Sequence, residues 1–289
     1  MLEDFYEVLA EPSWQITICH NIGGELGVRL MEEAMVSVMQ KLLDLGADPN
    51  RKDNKTGLPV WTILIAKKEV PSLLIEFMLN HGATFSTSDN EGEHILAKAL
   101  KEHGNAQVIK LLIAHGADPT FVHPNNATAL HFACSNGDAS LDTIKLLIEH
   151  GCPISLQENV DNYSPLMLAI LSDCSYVILE YLIQAGADFH QYDRSGYSVA
   201  GMLCRSHNNP KILQLLYEYG LDLNTEEKGY TLLMIAAINR NWGMVKKLFQ
   251  LGYSDIKKVD RKSGKTALEL TPKEDLNLLL RLMRKFKLI

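Results

Sequence analysis

The residues of this 289-residue chain whose types and spacing could do chemistry fall in a few places. His131 and Cys134 stand three apart, so a helix would put imidazole and thiol on one face, as a cysteine nucleophile and its base require. Cys19 and His20 are neighbours. Ser263-Gly264-Lys265-Thr266 has the ending of a phosphate-binding loop, but the glycine that should stand five positions before Gly264 is Val259. Asp53-Asn54-Lys55-Thr56-Gly57 is oxygen-rich like a calcium loop, yet the glutamate its second half requires is missing, with Leu64 in that stretch. His81, His115 and His150 could ligate zinc if they clustered. Each precedes a recurring glycine instead, which predicts a ladder along successive helices spaced ~8–10 Å apart, too far for shared bonds of ~2 Å. These sites fail as catalytic or metal centres, so the sequence predicts no catalytic residue, no metal, no cofactor and no enzyme.

The elements that position these residues recur. An apolar helical stretch runs into Gly-Ala-Asp or a variant at LLDLGADPN, FMLNHGATF, LLIAHGADPT, LLIEHGCPI, YLIQAGADF, LLYEYGLDL and LFQLGYSDI. The glycines are Gly46, Gly82, Gly116, Gly151, Gly186, Gly220 and Gly252, and the steps between them are 36, 34, 35, 35, 34 and 32 residues. A period of this length means stacked supersecondary units, each too small to bury its apolar face alone. Histidine before the glycine then belongs at a helix C-terminus, where it complements the dipole. Asn50 and Asn224 follow the phrase in positions where asparagine tolerates a turn.

About ten residues after each glycine come a polar turn and a capped helix start: NNATALHFA, DNYSPLMLA, DRSGYSVAGML, KGYTLLMIAA and KSGKTALEL. Thr128, Ser164, Ser198, Thr231 and Thr266 fall at the N-cap, where a hydroxyl accepts a free backbone N–H, and Pro165 at the first helical position. The pattern resembles the ankyrin repeat, a turn followed by Thr-Pro-Leu-His-x-Ala and two antiparallel helices. Ala129-Leu130-His131-Phe132-Ala133 is the nearest copy, with Ala129 for the family's proline. The resemblance implies an all-α ankyrin solenoid of helix pairs joined by β-turn or hairpin loops, with His131 bonding a turn and Cys134 a small buried residue.

Departures from that pattern are local. Thr128 to Gly151 and Ser164 to Gly186 are longer than the family's interval, placing extra residues around Ser135 to Asp142 and Ser172 to Ser175. Leu58-Pro59-Val60-Trp61 and Glu93-His94-Ile95-Leu96 replace the signature, leaving those first helices weakly specified. Met1 to Ala10 is amphipathic and Val28 to Leu45 reads as one helix, together an N-terminal cap. The expected organisation is one solenoid over 1–289: cap and first repeat in 1–50, six repeats in 51–256, and a capping repeat in 257–289 with Leu276, Leu279, Leu280 and Met283 covering the stack.

The net charge is −7, and residues 273–289 alone carry +3, so the remainder carries −10. That balance disfavours nucleic acid. No apolar run reaches membrane-spanning length, and the acidic start MLEDFYEVL lacks the basic region of a secretory signal. Five cysteines without a CxxC pair predict a reducing compartment, hence a cytoplasmic protein, in a host's cytoplasm if it is a secreted bacterial effector.

What remains is recognition. In the ankyrin family the turn tips and first helices line the binding groove. Here the aromatic tips begin at Tyr163, and Tyr, Trp and Arg carry most energy at protein interfaces. The expected partner-binding residues are Asp161, Tyr163, Tyr192, Asp193, Arg194, Tyr197 and Tyr230, with Arg240 and Trp242 from a helix–helix loop beside His207 and Asn208. Asp53, Asn54, Lys55, Asn90 and their neighbours form a tip surface of amides and charges instead. The expected function is a monomeric scaffold that binds another protein, engaging a Lys- or Arg-bearing segment through Asp161 and Asp193. The alternatives are an inhibitory subunit of an enzyme and an enzyme with an unrecognised site.

Overall fold

The computed structural model describes residues 25–52, 57–66, 72–85, 88–89, 93–102, 105–137, 140–205 and 209–289. Met1 to Ala10, Cys19, His20, Asp53 to Thr56, Asn90, His207 and Asn208 lie outside them. The described chain is helical: α1 (Glu25–Asp44), α2 (Ser72–Asn80), α3 (Ile95–Glu102), α4 (Ala106–Ala114), α5 (Ala129–Ser135), α6 (Leu141–Glu149), α7 (Pro165–Leu171), α8 (Tyr176–Gln184), α9 (Val199–Arg205), α10 (Pro210–Glu218), α11 (Leu232–Ile238), α12 (Trp242–Gln250), α13 (Ala267–Leu270) and α14 (Leu276–Lys285). A 3-10 turn at Val60–Ala66 stands where the weak Leu58-Pro59-Val60-Trp61 signature would start a helix. Strands β1 (Glu226–Glu227) and β2 (Tyr230–Thr231) form a hairpin whose central Lys228 and Gly229 both have positive φ, the turn that matches strand twist. These are antiparallel helix pairs with turn or hairpin connections.

The recurring glycine ends helices by a specific bond pattern. After α6, the Gly151 N–H donates to the Ile148 carbonyl at 3.0 Å and the Cys152 N–H to the Leu147 carbonyl at 3.0 Å, with Gly151 at φ +82. His150 sits between as the C-cap, its Nδ1 2.8 Å from the Leu146 carbonyl. His81 and His115 meet the Phe77 and Leu111 carbonyls at 2.8 and 2.9 Å in the same way. The histidine ladder therefore satisfies helix ends.

Helix starts at Ser164, Ser198, Thr231 and Thr266 are capped as the sequence predicts, whereas the Thr128 hydroxyl meets the His131 ring instead of a backbone N–H. The hydroxyls of Ser164, Thr231 and Thr266 accept N–H groups of Met167, Met234 and Glu269. At α3, whose signature is weak, the His94 imidazole does this work: its Nδ1 accepts the Leu96 N–H at 3.2 Å, and its ring stacks on Phe121 at 3.9 Å.

The chain divides into two compact units, 1–123 with 138–152 and 124–137 with 153–289. In the first, α1 packs on α2, α2 on α4, α4 on α6, and α3 on α4. Asn50 ties neighbouring repeats there, its Nδ2 donating to the Gly82 carbonyl at 2.9 Å and its Oδ1 accepting the Thr84 N–H at 2.6 Å. In the second, the first helices α5, α7, α9, α11 and α13 pack in sequence, and α8, α10 and α12 form a second layer behind. Leu168 and Met202 lie on the first-helix layer, while buried Ile178, Leu182, Ile212, Leu216, Val245 and Leu248 fill the space between layers. At the C-terminal end α14 buries Leu279 and Met283, and Phe286 packs on Phe249 at 5.7 Å. Of the four expected capping residues, Leu276 and Leu280 remain half-buried.

Candidate partner-binding surface

Each turn before a first helix must satisfy several backbone N–H groups in a few residues, and in the second unit carboxylates supply the acceptors. Glu158 is 7% exposed and accepts the N–H groups of Val160, Asp161 and Tyr163 at 2.6, 2.8 and 3.0 Å. Asp193, also 7% exposed, accepts the Tyr197 N–H at 2.8 Å. Asp260 accepts from Lys262, Ser263 and Lys265, and those bonds hold its carboxyl well below the usual range, the Ser263 hydroxyl first.

The fourth carboxylate comes from the next repeat. Gly201 occupies the position in α9 that His131 occupies in α5, three after the cap. In α5, His131 Nδ1 accepts the Thr128 N–H at 3.0 Å while Nε2 meets the Tyr163 carbonyl of the following repeat at 3.1 Å. In α9 there is no side chain to do this. Glu227, 1% exposed, enters from the β1–β2 hairpin, accepts the Ser198 N–H at 3.1 Å and takes the Ser198 hydroxyl. A Cβ on Gly201 would collide with its carboxylate, lying 2.7 Å from Cδ.

The tips themselves are joined directly. The Asn159 N–H donates to the Asn125 carbonyl at 2.8 Å, the Arg194 N–H to the Asp161 carbonyl at 2.8 Å, and the Arg261 N–H to the Gly229 carbonyl at 3.1 Å. Gln157 Nε2 bridges to the Tyr192 carbonyl at 2.9 Å, and the Lys228 side chain lies 3.4 Å from where a Gly196 Cβ would be. Asp161, Tyr163, Tyr192, Arg194, Tyr197 and Tyr230 thus share one row. Tyr192 is 46% exposed, whereas Tyr163, Tyr197 and Tyr230 are half-buried. Tyr197 lies between cations, with the Arg205 guanidinium 4.4 Å and the Lys228 ammonium 5.1 Å from its ring centre, and Lys262 stands 6.0 Å from that of Tyr230. Burial pushes the Tyr163 hydroxyl above its usual range, with Asp161 and Asp193 adding to the shift.

Two expectations change. Asp193 is buried in its own turn, so of the two acidic residues expected to meet a basic segment only Asp161 faces solvent. Arg240 and Trp242 are not on the row: they sit at the opposite end of α11 from Tyr230. There Arg240 pairs with Glu274 and Asp275, and Trp242 begins α12. Sequence reading also missed Arg205, the exposed last residue of α9, whose guanidinium reaches the Tyr197 ring. Its contact depends on the length of its side chain, which counting from the Ser198 cap does not show.

The chemical look-alikes are occupied by structural roles. Both ring nitrogens of His131 are engaged, Nδ1 with the Thr128 N–H and Nε2 with the Tyr163 carbonyl, so neither is free to take a proton from Cys134. The described cysteines are buried free thiols, and burial pushes Cys174 up to about 11. In the phosphate-loop look-alike, the N–H groups of Lys262, Ser263 and Lys265 already point at Asp260. Among the described residues no three His, Cys, Asp or Glu side chains gather where a metal could bind. No described helix is long and apolar enough to cross a membrane.

Residues 97–193 match the family model for ankyrin repeats, in three copies. The chain is 28% identical over 187 residues to ankyrin repeat and SOCS box protein 6 of Pongo abelii, an alignment covering 63% of this chain and 43% of that protein. It is 29% identical over 204 residues to SH3 and multiple ankyrin repeat domains protein 2 of Homo sapiens, covering 69% of this chain and 10% of the relative. The chain therefore spans less than half the length of these relatives. Among solved structures it resembles a chain of the complex between a predatory endopeptidase from Bdellovibrio bacteriovorus and an immunity protein. The TM-score is 0.56 at 25% identity, over 66% of this chain and 96% of that one. The period, the caps and the paired helices agree with these likenesses: residues 97–193 carry ankyrin repeats, and the helix pairs on either side follow the same pattern.

Proposed function

We propose that this protein works by binding another protein on the tip row of its second unit, as a scaffold and not as a catalyst. The observation that carries this reading is the row itself. Backbone bonds fix Asp161 to Arg194 and Gly229 to Arg261, and inward carboxylates hold each turn, so Tyr192, Arg194, Lys228 and Arg261 are presented from a rigid base. Four buried free thiols support a reducing compartment such as a cytoplasm. Affinity capture with quantitative mass spectrometry tests the reading. A specific partner should be retained by the wild type and lost with Tyr192→Ala plus Arg194→Ala, while Lys211→Ala in α10 retains it. A partner lost equally from both variants would contradict the placement.

A second reading, inhibition of an enzyme by occlusion, is supported by the likeness to a chain from an endopeptidase–immunity protein complex. Assaying any captured enzyme with and without this chain separates the two: unchanged turnover leaves the scaffold reading alone.

A further inference from the structure

The turns of the second unit sort their charges. Their acids point inward: Glu158, Asp193, Glu227 and Asp260 are all buried, each accepting bonds from its own or a neighbouring turn. Their bases point outward: Arg194, Lys228, Lys262 and Lys265 are exposed, and the Arg261 side chain is 76% exposed although one nitrogen pairs with Glu226 at 2.7 Å. Arg205 joins them at the end of α9. The sorting follows from chemistry, since a short turn needs acceptors for its N–H groups and a cation has none to offer, so carboxylates are drawn in and Lys or Arg left outside. Among the described turn carboxylates Asp161, at the N-terminal end of the row, faces solvent, and half-buried Glu226 pairs with Lys258 and Arg261. A chain of net charge −7 therefore carries a contiguous basic strip, interleaved with Tyr192, Tyr197 and Tyr230.

From this sorting we infer that the partner segment bound by the tip row is acidic, an extended Asp- and Glu-rich peptide with aromatic or apolar side chains between the carboxylates. This rests on the binding reading above and reverses the sign that the sequence suggested. Arg194, Arg205 and Lys228 supply charge-assisted donors to carboxylates, Arg in a fork that matches a carboxylate's two oxygens. Tyr192 supplies an exposed ring for an apolar or aromatic side chain. A peptide fits better than a nucleic acid because the strip's cations are dispersed among tyrosines one repeat apart, and the remainder of the chain repels a polyanion beyond the strip.

The test uses labelled poly(Glu,Tyr) copolymer, poly(Lys,Tyr) copolymer and a thymidine oligonucleotide as probes, with fluorescence anisotropy at low and moderate salt. The full chain should bind poly(Glu,Tyr) in preference to both others. Arg194→Glu with Lys228→Glu and Lys262→Glu should weaken that binding by about tenfold or more, and added salt should weaken it further. Lys211→Glu with Lys246→Glu, on the second helices, should leave it unchanged. Preference for poly(Lys,Tyr), lost on Tyr192→Ala, would overturn the acidic assignment while leaving the row as the binding site. Preference for the oligonucleotide would overturn it in favour of a nucleic acid. Binding indifferent to every tip substitution would overturn both the assignment and the placement of the site.

Discussion

The turns at Glu158 and Glu227 each put a carboxylate inside the protein, and the two environments act on it in opposite directions. At Glu158 burial raises the carboxyl's pKa, but the N–H groups of Tyr163, Val160 and Asp161, with His131 beside them, outweigh it and leave it below the usual value. At Glu227 burial dominates. Ser198 and Gly201 pull the other way, Asp193 adds an unfavourable charge, and the pKa ends above the usual value. One carboxylate serves its own turn; the other reaches into the preceding repeat to replace a missing histidine. The same residue type thus gives a turn that strengthens with ionisation and a repeat junction that strengthens without it.

The largest predicted effect comes from closing the space that Glu227 uses. Gly201→His restores the family residue yet should destabilise the chain by about 3 kcal/mol in urea unfolding, because the new side chain meets a carboxylate already in place. Combining it with Glu227→Ala should recover part of that loss. Strict additivity of the two would show that the residues do not share the site. Glu227→Ala alone leaves the Ser198 N–H and hydroxyl without an acceptor and should cost about 2 kcal/mol.

His131→Ala breaks the corresponding junction at α5 and should cost about 1–2 kcal/mol through loss of the Thr128 and Tyr163 bonds. Its pKa is lowered by burial, so its contribution is present above the ordinary histidine value and is lost as pH falls below it.

The pH dependence sharpens the comparison further. Glu227 has a raised folded pKa, so its contribution is complete below the ordinary glutamate value of about 4.3 and declines as pH rises through the raised one. Glu158 has a lowered folded pKa, so its contribution is present above the ordinary value and declines as pH falls. Unfolding free energies of Glu227→Gln and Glu158→Gln relative to wild type, followed across acid pH, should therefore change with opposite slopes. Slopes of the same sign would break the comparison. The smallest effect belongs to Arg240→Ala: Arg240 and its partner Glu274 are largely exposed, and less than about 1 kcal/mol should be lost.

The repeat architecture was legible because glycine at a helix end and hydroxyls at a helix start are constrained by local geometry, and local geometry is written in neighbouring residues. Gly151, Ser164 and Thr231 sit where the spacing put them. His94 as a cap and the 3-10 turn after Leu58 were not legible, since they depart from the signature and depend on packing, such as the stacking of His94 on Phe121. At the candidate surface the tyrosines could be placed on tips by counting. The inward direction of Asp193 and Glu227 could not, because it is set by which backbone N–H groups lack acceptors in three dimensions. Glu227 is the clearest case: its partner Ser198 is 29 residues earlier, and only the absence of a side chain at Gly201 hints that something must fill the gap.

The most direct test of the central claim, that the tip row of the second unit is where a partner binds, is a TROSY titration of the deuterated full chain with poly(Glu,Tyr), following backbone amides. The row predicts shifts concentrated at Asp161 to Tyr163, Tyr192 to Tyr197, Lys228 to Tyr230 and Arg261 to Lys265, with the amides of α8, α10 and α12 unmoved. Shifts centred on those second helices, with the tips silent, would contradict it.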